Sequence, residues 1–327
     1  MSLLIIGAAD VRELLPMAEC IEVMDQAMRA FSAGHVEVPA RTIAPLEGGA
    51  DFFILMPGEL RASGTYGAKI VSLHPGNPAL GLPAVQGFVT LFDHTSGAPV
   101  ALVDGAALTA IRTAAASALA TRALAREDAS SHGIFGTGVQ AASHLQAIGL
   151  VRPVERVLVW GRDHHKAQAF AAGHSAVDGP EVTAVENPES AAACQILSVV
   201  TNSPVPVLKG GWLRPGTHVN LVGAHEAEHR EADSEAVARS AIYVDSLAGA
   251  LTEAGDILIP MSEGAIGRKA ITGEIGEMVL GSAPGRKTRD QITLYKSLGT
   301  VAQDLFATAH VLDRARASGK GQVVEFP

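Results

Sequence analysis

Gly136-Thr137-Gly138-Val139-Gln140-Ala141 decides how the rest of this chain is read. The spacing is G-x-G-x-x-G/A. Between a strand and a helix, the first glycine makes the tight turn and the second lets backbone approach a pyrophosphate. The small last residue lets helix and strand pack closely. The helix N-terminus then offers unpaired N–H groups and the positive end of its dipole to phosphate. Glycine-rich turns are common, so the flanks carry the argument. Residues 133–135 read as a short strand, 138–150 as a helix and 156–160 as the next strand. Gly136, Thr137, Gly138, Val139 and Gln140 are therefore candidate dinucleotide-binding residues.

Downstream the alternation continues, with a helix over 164–172 and strands over 196–200, 218–222 and 242–245. Strands alternating with helices require a parallel sheet. The strand 156–160 ends Trp160-Gly161-Arg162-Asp163. An NAD site usually places an acid there for the ribose hydroxyls, whereas an arginine accommodates a 2′-phosphate. Arg162 thus points to NADP(H) in preference to NAD(H), and Asp163 keeps a ribose contact open. Thr201, just after the strand 196–200, joins the cofactor-binding set.

Upstream the pattern changes. Leu14, Met17, Ile21, Met24, Met28 and Phe31 recur at helical spacing, which predicts one helix over 10–33. Strands follow over 40–45, 51–56, 66–73, 85–92 and 98–103, with turns at 47–50 and 93–97. The first third thus reads as a mostly antiparallel sheet with one helix. An alanine-rich helix over 108–125 leads into the middle segment. A helix over 301–317 carries Val301, Leu305, Ala309 and Leu312 on one face.

Composition limits the alternatives. The chain has 327 residues, 47% apolar and 18% charged, enough for about two domains and a large core. A formal net charge of -9 argues against nucleic acid as a partner. No basic segment precedes the apolar run Leu3 to Ile6, and no apolar run reaches the ~20 residues of a membrane span. Cys20 and Cys194 form neither a disulfide framework nor a metal-ligand spacing. A cytoplasmic protein is expected.

Three cations have apolar neighbours. Lys69 shares its strand face with Gly67, Val71 and Leu73. Arg112 lies in the first turns of a helix built of Ala, Leu, Ile and Thr, and Arg41 lies among Ala40, Ile43 and Pro45. A buried cation without a counter-charge is costly. Either internal carboxylates pair with these groups, or the groups converge on a substrate carboxylate, which Arg holds in a bidentate fork.

The chain resembles the ornithine cyclodeaminase/mu-crystallin family nearly end to end. The likeness rests on Lys69-Ile70-Val71, His74-Pro75-Gly76-Asn77-Pro78, Gly81-Leu82-Pro83, Leu108-Thr109-Ala110-Ile111-Arg112-Thr113-Ala114-Ala115, the glycine motif, and Lys296-Ser297-Leu298-Gly299. It implies an α/β protein of two parts. One is a Rossmann-type NAD(P)-binding domain over 114–298. The other is a smaller α+β substrate and dimerisation domain over 1–113, completed by 299–327, in a homodimer. It also implies that Arg41, Lys69 and Arg112 grip the substrate carboxylate, with Arg112 and Thr113 reaching the cofactor.

Two positions depart from the cyclodeaminase pattern. His225, in Val222-Gly223-Ala224-His225, stands where those enzymes carry an aspartate taken as catalytic. Ile54, in Ile54-Leu55-Met56-Pro57, replaces the acid of a Glu-Leu-Met-Pro stretch. A pocket for ornithine should offer anions to its amines, and both candidates are missing. The expected activity is NAD(P)H-dependent reduction of small imino acids of the ketimine or pyrroline-2-carboxylate type. Lys69 and His225 are the catalytic candidates; imidazole is the side-chain type suited to proton exchange with the imine nitrogen. Ornithine cyclodeamination, a low-turnover NADP-binding role like that of the crystallin, and dehydrogenation of a simple amino acid such as alanine are the rivals.

Overall fold

The computed structural model describes residues 2–61, 64–175 and 179–325, and divides the chain into two compact units. The first comprises Met1–Arg112 and Gly299–Pro327; the second is Thr113–Leu298. The strands, in chain order, are β1 Ser2–Ile6, β2 Val36–Glu37, β3 Thr42–Pro45, β4 Phe52–Leu60, β5 Thr65–Leu73, β6 Val85–Asp93, β7 Pro99–Asp104, β8 Ser131–Phe135, β9 Arg156–Trp160, β10 Glu181–Ala184, β11 Ile196–Val199, β12 His218–Leu221, β13 Ser240–Val244, β14 Ile271–Glu274, β15 Ile292–Lys296 and β16 Gln322–Glu325. Helices named below are α1 Ala8–Leu14, α2 Met17–Ser32, α3 Gly105–Leu124, α4 Val139–Gly149 and α5 His164–His174.

The sheet of the first unit runs β16-β1-β7-β6-β5-β4-β2, with β3 also paired to β4. Its central pairings are antiparallel, as the alternating sequence predicts. β1 joins parallel to β7 and antiparallel to β16, two pairings the local pattern does not announce. On the inner face the glycines Gly58 and Gly67 pair across β4 and β5. They leave a notch for the C-terminal helix, Val301–Ser318: a Cβ on Gly58 would lie 2.7 Å from Val301 Cγ1 and 3.1 Å from Leu305 Cδ1.

The single helix expected over 10–33 is two helices, α1 and α2. Pro16 separates them. Its ring would collide with the carbonyl four residues back, and it has no N–H to continue the ladder. It therefore precedes α2, whose first helical residue is Met17. The apolar spacing continues across the break because both helices bury one face, through Val11 and Leu14, then Met17, Ile21, Met24 and Met28.

The second unit is a parallel sheet in the order β10-β9-β8-β11-β12-β15-β13-β14. The first six positions follow the doubly wound order, and the chain reverses direction across the sheet at β8. β8, β11, β12 and β15 are buried along their whole length, as strands covered on both faces are. Polar side chains pair across these strands: His132 Nε2 with Ser198 Oγ at 2.9 Å, and His218 Nδ1 with Thr293 Oγ1 at 2.9 Å. No helix among the described residues is long and apolar enough to cross a membrane.

Candidate active site

In the first unit the three expected cations come together. Lys69 faces inward on β5, opposite Met56 on β4 and Val89 on β6. Thr109 and Arg112 lie one turn apart on α3. Lys69 Nζ donates to Thr109 Oγ1 at 2.6 Å and to Asp304 Oδ1 at 3.4 Å. Arg112 Nε donates to the same Oδ1 at 2.9 Å, and its Nη1 to Gln303 Oε1 at 2.9 Å. Arg41 donates from Nη2 to the Gly299 carbonyl at 2.8 Å. Gly299 has φ +78°, and a Cβ there would lie 2.7 Å from Arg112 Nη1. Glycine is needed for the backbone and for the guanidinium alike.

Lys69 and Arg112 are 4% and 5% exposed, and Asp304 is fully buried. Burial lowers the Lys69 ammonium to about 8; Asp304 opposes the shift, while the Arg112 and Arg41 charges add to it. The internal carboxylate of the first alternative therefore exists, but one anion serves two cations through one oxygen. Asp304 Oδ2 is buried with no hydrogen-bond partner. Asp304 and Gln303 were not anticipated from sequence. The sign was present: Asp304 falls on the helix stripe of Val301 and Leu305, where a solvated acid does not belong.

The second unit gathers the dinucleotide candidates at the C-terminal ends of its strands. Gly136 follows β8 with φ +121°; its N–H bonds the Trp160 carbonyl at 2.9 Å, and a Cβ there would lie 2.9 Å from the Val200 carbonyl. Gly138 precedes α4 without a side chain to cap the first-turn N–H groups, and a Cβ there would meet nothing within 4 Å. Val139 is exposed and Thr137 half-buried. A tight turn, an open approach and an uncapped helix start are what a pyrophosphate requires, so these residues fit a nicotinamide dinucleotide. Arg162 is exposed beyond β9. Asp163 Oδ1 accepts from His165 N at 3.0 Å and Lys166 N at 3.3 Å, capping α5. Thr113 is buried in α3.

Next to this turn lies a charge cluster not anticipated from sequence. Glu231, fully buried, accepts from Thr201 N and Thr201 Oγ1, both at 2.7 Å, from Gly223 N, and from Ala224 N at 3.2 Å. Asp256 Oδ1 accepts from Glu231 N at 2.8 Å, and Lys296 Nζ donates to Asp256 Oδ2 at 2.9 Å and to the Ala224 carbonyl. Burial, and then the Asp256 charge, raise the Glu231 carboxyl to about 7. His225 is exposed, with Nδ1 3.0 Å from the Gly223 carbonyl. In the neutral ring Nδ1–H donates there and Nε2 carries the lone pair.

A recess of about 590 Å³ opens elsewhere in this unit, lined by Arg126, Arg156, Arg214, Glu155 and Glu181 among others. Its lining includes the starts of β8, β9 and β10, the edge opposite the glycine turn. No cluster of three or more metal-ligating side chains occurs among the described residues.

Comparison with known proteins matches residues 2–319 to the ornithine cyclodeaminase/mu-crystallin family. A Delta(1)-pyrroline-2-carboxylate reductase of Bacillus cereus is 35% identical over 326 residues, covering 99% of this chain and 100% of that protein. The structure of Thermococcus litoralis Delta(1)-pyrroline-2-carboxylate reductase in complex with NADH and L-proline superposes with a TM-score of 0.95 at 40% identity, covering 98% of this chain and 99% of that one. An archaeal alanine dehydrogenase dimer with bound NAD superposes with a TM-score of 0.94 at 30% identity over 100% of both chains.

Proposed function

Because the chain belongs to the ornithine cyclodeaminase/mu-crystallin family, we propose that it is an NAD(P)H-dependent oxidoreductase that reduces the C=N bond of small imino acids, of the pyrroline-2-carboxylate or ketimine type. The observation that carries this reading is the pairing of Lys69 and Arg112 with a single oxygen of Asp304. The surplus positive charge is what a substrate carboxylate neutralises. Arg41, Lys69 and Arg112 hold that carboxylate and so orient the neighbouring imine carbon, a positioning effect. Bound reduced nicotinamide supplies a hydride to that carbon, and a proton to the nitrogen completes the amine. His225 is the proton source through Nε2, the ring nitrogen left free by the Nδ1 contact to Gly223, and Lys69, lowered to about 8, is the second candidate.

NADP(H) is the preferred cofactor in this reading. Arg162 is free to meet a 2′-phosphate, while the Asp163 carboxylate is engaged in capping α5.

A homodimer accounts for the outer face of the first sheet. Leu55, Ile70 and Phe88 are cross-strand neighbours there, flanked by Phe53 at 44% exposure and the stacked pair Tyr66 and Phe92. An apolar row of this kind on a sheet is covered by a second copy. A cytoplasmic setting suits the two buried free cysteines.

The test is an absorbance screen of NADPH and NADH oxidation against pyrroline-2-carboxylate, piperideine-2-carboxylate, and pyruvate with ammonia, with ornithine plus NAD⁺ as a control. Oxidation with a cyclic imine and no ammonia release from ornithine is expected. Robust ammonia release overturns the reductase reading.

A further inference from the structure

The ends of β8, β11 and β12 lie side by side, because these strands are neighbours in one parallel sheet. The pyrophosphate turn follows β8, and Arg162 follows β9 on one side of it. A dinucleotide that places its adenosine toward β9 runs its other half the opposite way, over the ends of β11 and β12. Those two ends are the segments that Glu231 binds. From β11 it takes both donors of Thr201; from β12 it takes the N–H groups of Gly223 and Ala224.

The two segments also touch one another. A Cβ on Gly223 would overlap the Thr201 carbonyl and approach the Glu231 carboxylate. The chain continues outward in both directions. The Val200 carbonyl backs Gly136, and the Gly223 carbonyl holds His225. Behind Glu231, Asp256 binds its backbone N–H and Lys296 binds Asp256.

Buried ionic clusters contribute little to stability compared with well-packed apolar groups. This one directs its bonds at loop ends rather than into the core. The geometry points to Glu231 as the positioning residue of the nicotinamide half-site: it ties the ends of β11 and β12 into one surface that bears the nicotinamide ring and presents His225. Glu231 touches neither ligand; it acts through Thr201, Gly223 and Ala224. This rests on the dinucleotide reading of the glycine turn but not on the identity of the imine.

The test compares two ligands that share an adenosine and pyrophosphate and differ in the nicotinamide. Glu231→Gln keeps the shape but turns an amide toward donors that need an acceptor. By calorimetry, the reduced dinucleotide, NADPH or NADH according to which wild type binds more tightly, is expected to bind this variant at least tenfold more weakly. The matching ADP-ribose, with or without the 2′-phosphate, is expected to stay within twofold of wild type. Equal weakening of both ligands marks a general structural role and overturns the proposal, and so does no weakening of either. If Glu231→Gln does not accumulate as folded protein, Thr201→Val removes one of the four donors and is expected to show the same split. The ratio is read without turnover, so a failed imine screen and a failed positioning role remain separate results.

Discussion

The carbonyl of Gly299 accepts a hydrogen bond from Arg41, 258 positions earlier in the chain, while the glycine's missing side chain leaves room for Arg112. Gly299→Ala would introduce a methyl group 2.7 Å from Arg112 Nη1 at a residue with φ +78°. The left-handed conformation alone costs about 1–2 kcal/mol for a residue with a Cβ. A rise in imino-acid KM of roughly tenfold or more is expected, at about 1.4 kcal/mol per tenfold, with a modest fall in Tm. Steady-state kinetics and thermal melts check it; unchanged KM would detach this glycine from the carboxylate site.

Arg112→Lys preserves charge but not the fork that reaches Asp304 and Gln303 together. A loss of roughly a hundredfold in kcat/KM is expected, equivalent to about 3 kcal/mol, with circular dichroism unaltered. Near-normal kinetics would leave Arg112 a structural ion-pair partner.

Lys69 is expected to give the reaction a limit on the alkaline side. Its ammonium is lowered to about 8, so the cation is present below that pH and lost above it. Carboxylate binding should therefore weaken as pH rises through about 8, and a bound carboxylate should move the break upward. A pH profile of kcat/KM for wild type and Lys69→Met checks this. The variant should be much slower and lack the break; a break retained in the variant assigns it to another group.

Acid lability is expected from three buried histidines. His132, His144 and His218 are lowered from 6.5 to about 3, 4 and 3, in each case chiefly by burial. Above pH 6.5 both folded and unfolded chains carry them neutral, so they add no pH dependence there. Below 6.5 the unfolded chain takes up protons that the folded chain refuses, and stability falls as pH falls. Each contributes about 1.4 kcal/mol per pH unit, roughly 4 kcal/mol for the three, down to about pH 4. Chemical denaturation between pH 7 and 4.5 measures it, and a flat profile contradicts their burial as neutral rings.

Arg162→Ala should weaken NADPH binding at least tenfold, about 1.4 kcal/mol, and leave NADH nearly unchanged. Fluorescence titration of both cofactors decides it. Equal losses would remove Arg162 from the 2′-phosphate.

The glycine turn and the strand–helix alternation around it were legible because parallel strands buried on both faces leave short apolar runs between helices. Pro16 was also visible, yet the apolar spacing on either side of it concealed the break between α1 and α2. β15 was harder. It returns from late in the chain to lie between β12 and β13, and nothing local in Ile292–Lys296 states that order. Among the site residues, Lys69 and Arg112 stood out as cations on apolar faces, and Asp304 carried the same sign in reverse. Glu231 and Asp256 gave no such sign. Acids between regular elements or at a helix start are usually solvated, and only the fold places these two beneath Thr201 and Gly223.

The discontinuity of the first unit sets an order on its assembly during synthesis. Thr113–Leu298 is one unbroken stretch and meets its own partners as it leaves the ribosome. Strand β5, which holds Lys69, and the start of α3, which holds Arg112, are made earlier, but Asp304 and Gln303 arrive only with the last helix. Until then two cations lack the anion that makes their burial tolerable, and the notch at Gly58 and Gly67 lacks Leu305. The nascent protein is thus expected to keep this pair of cations open to water until the last helix is made. Translational pauses late in the message prolong that exposure, and chaperone engagement of stalled chains should centre on the first unit.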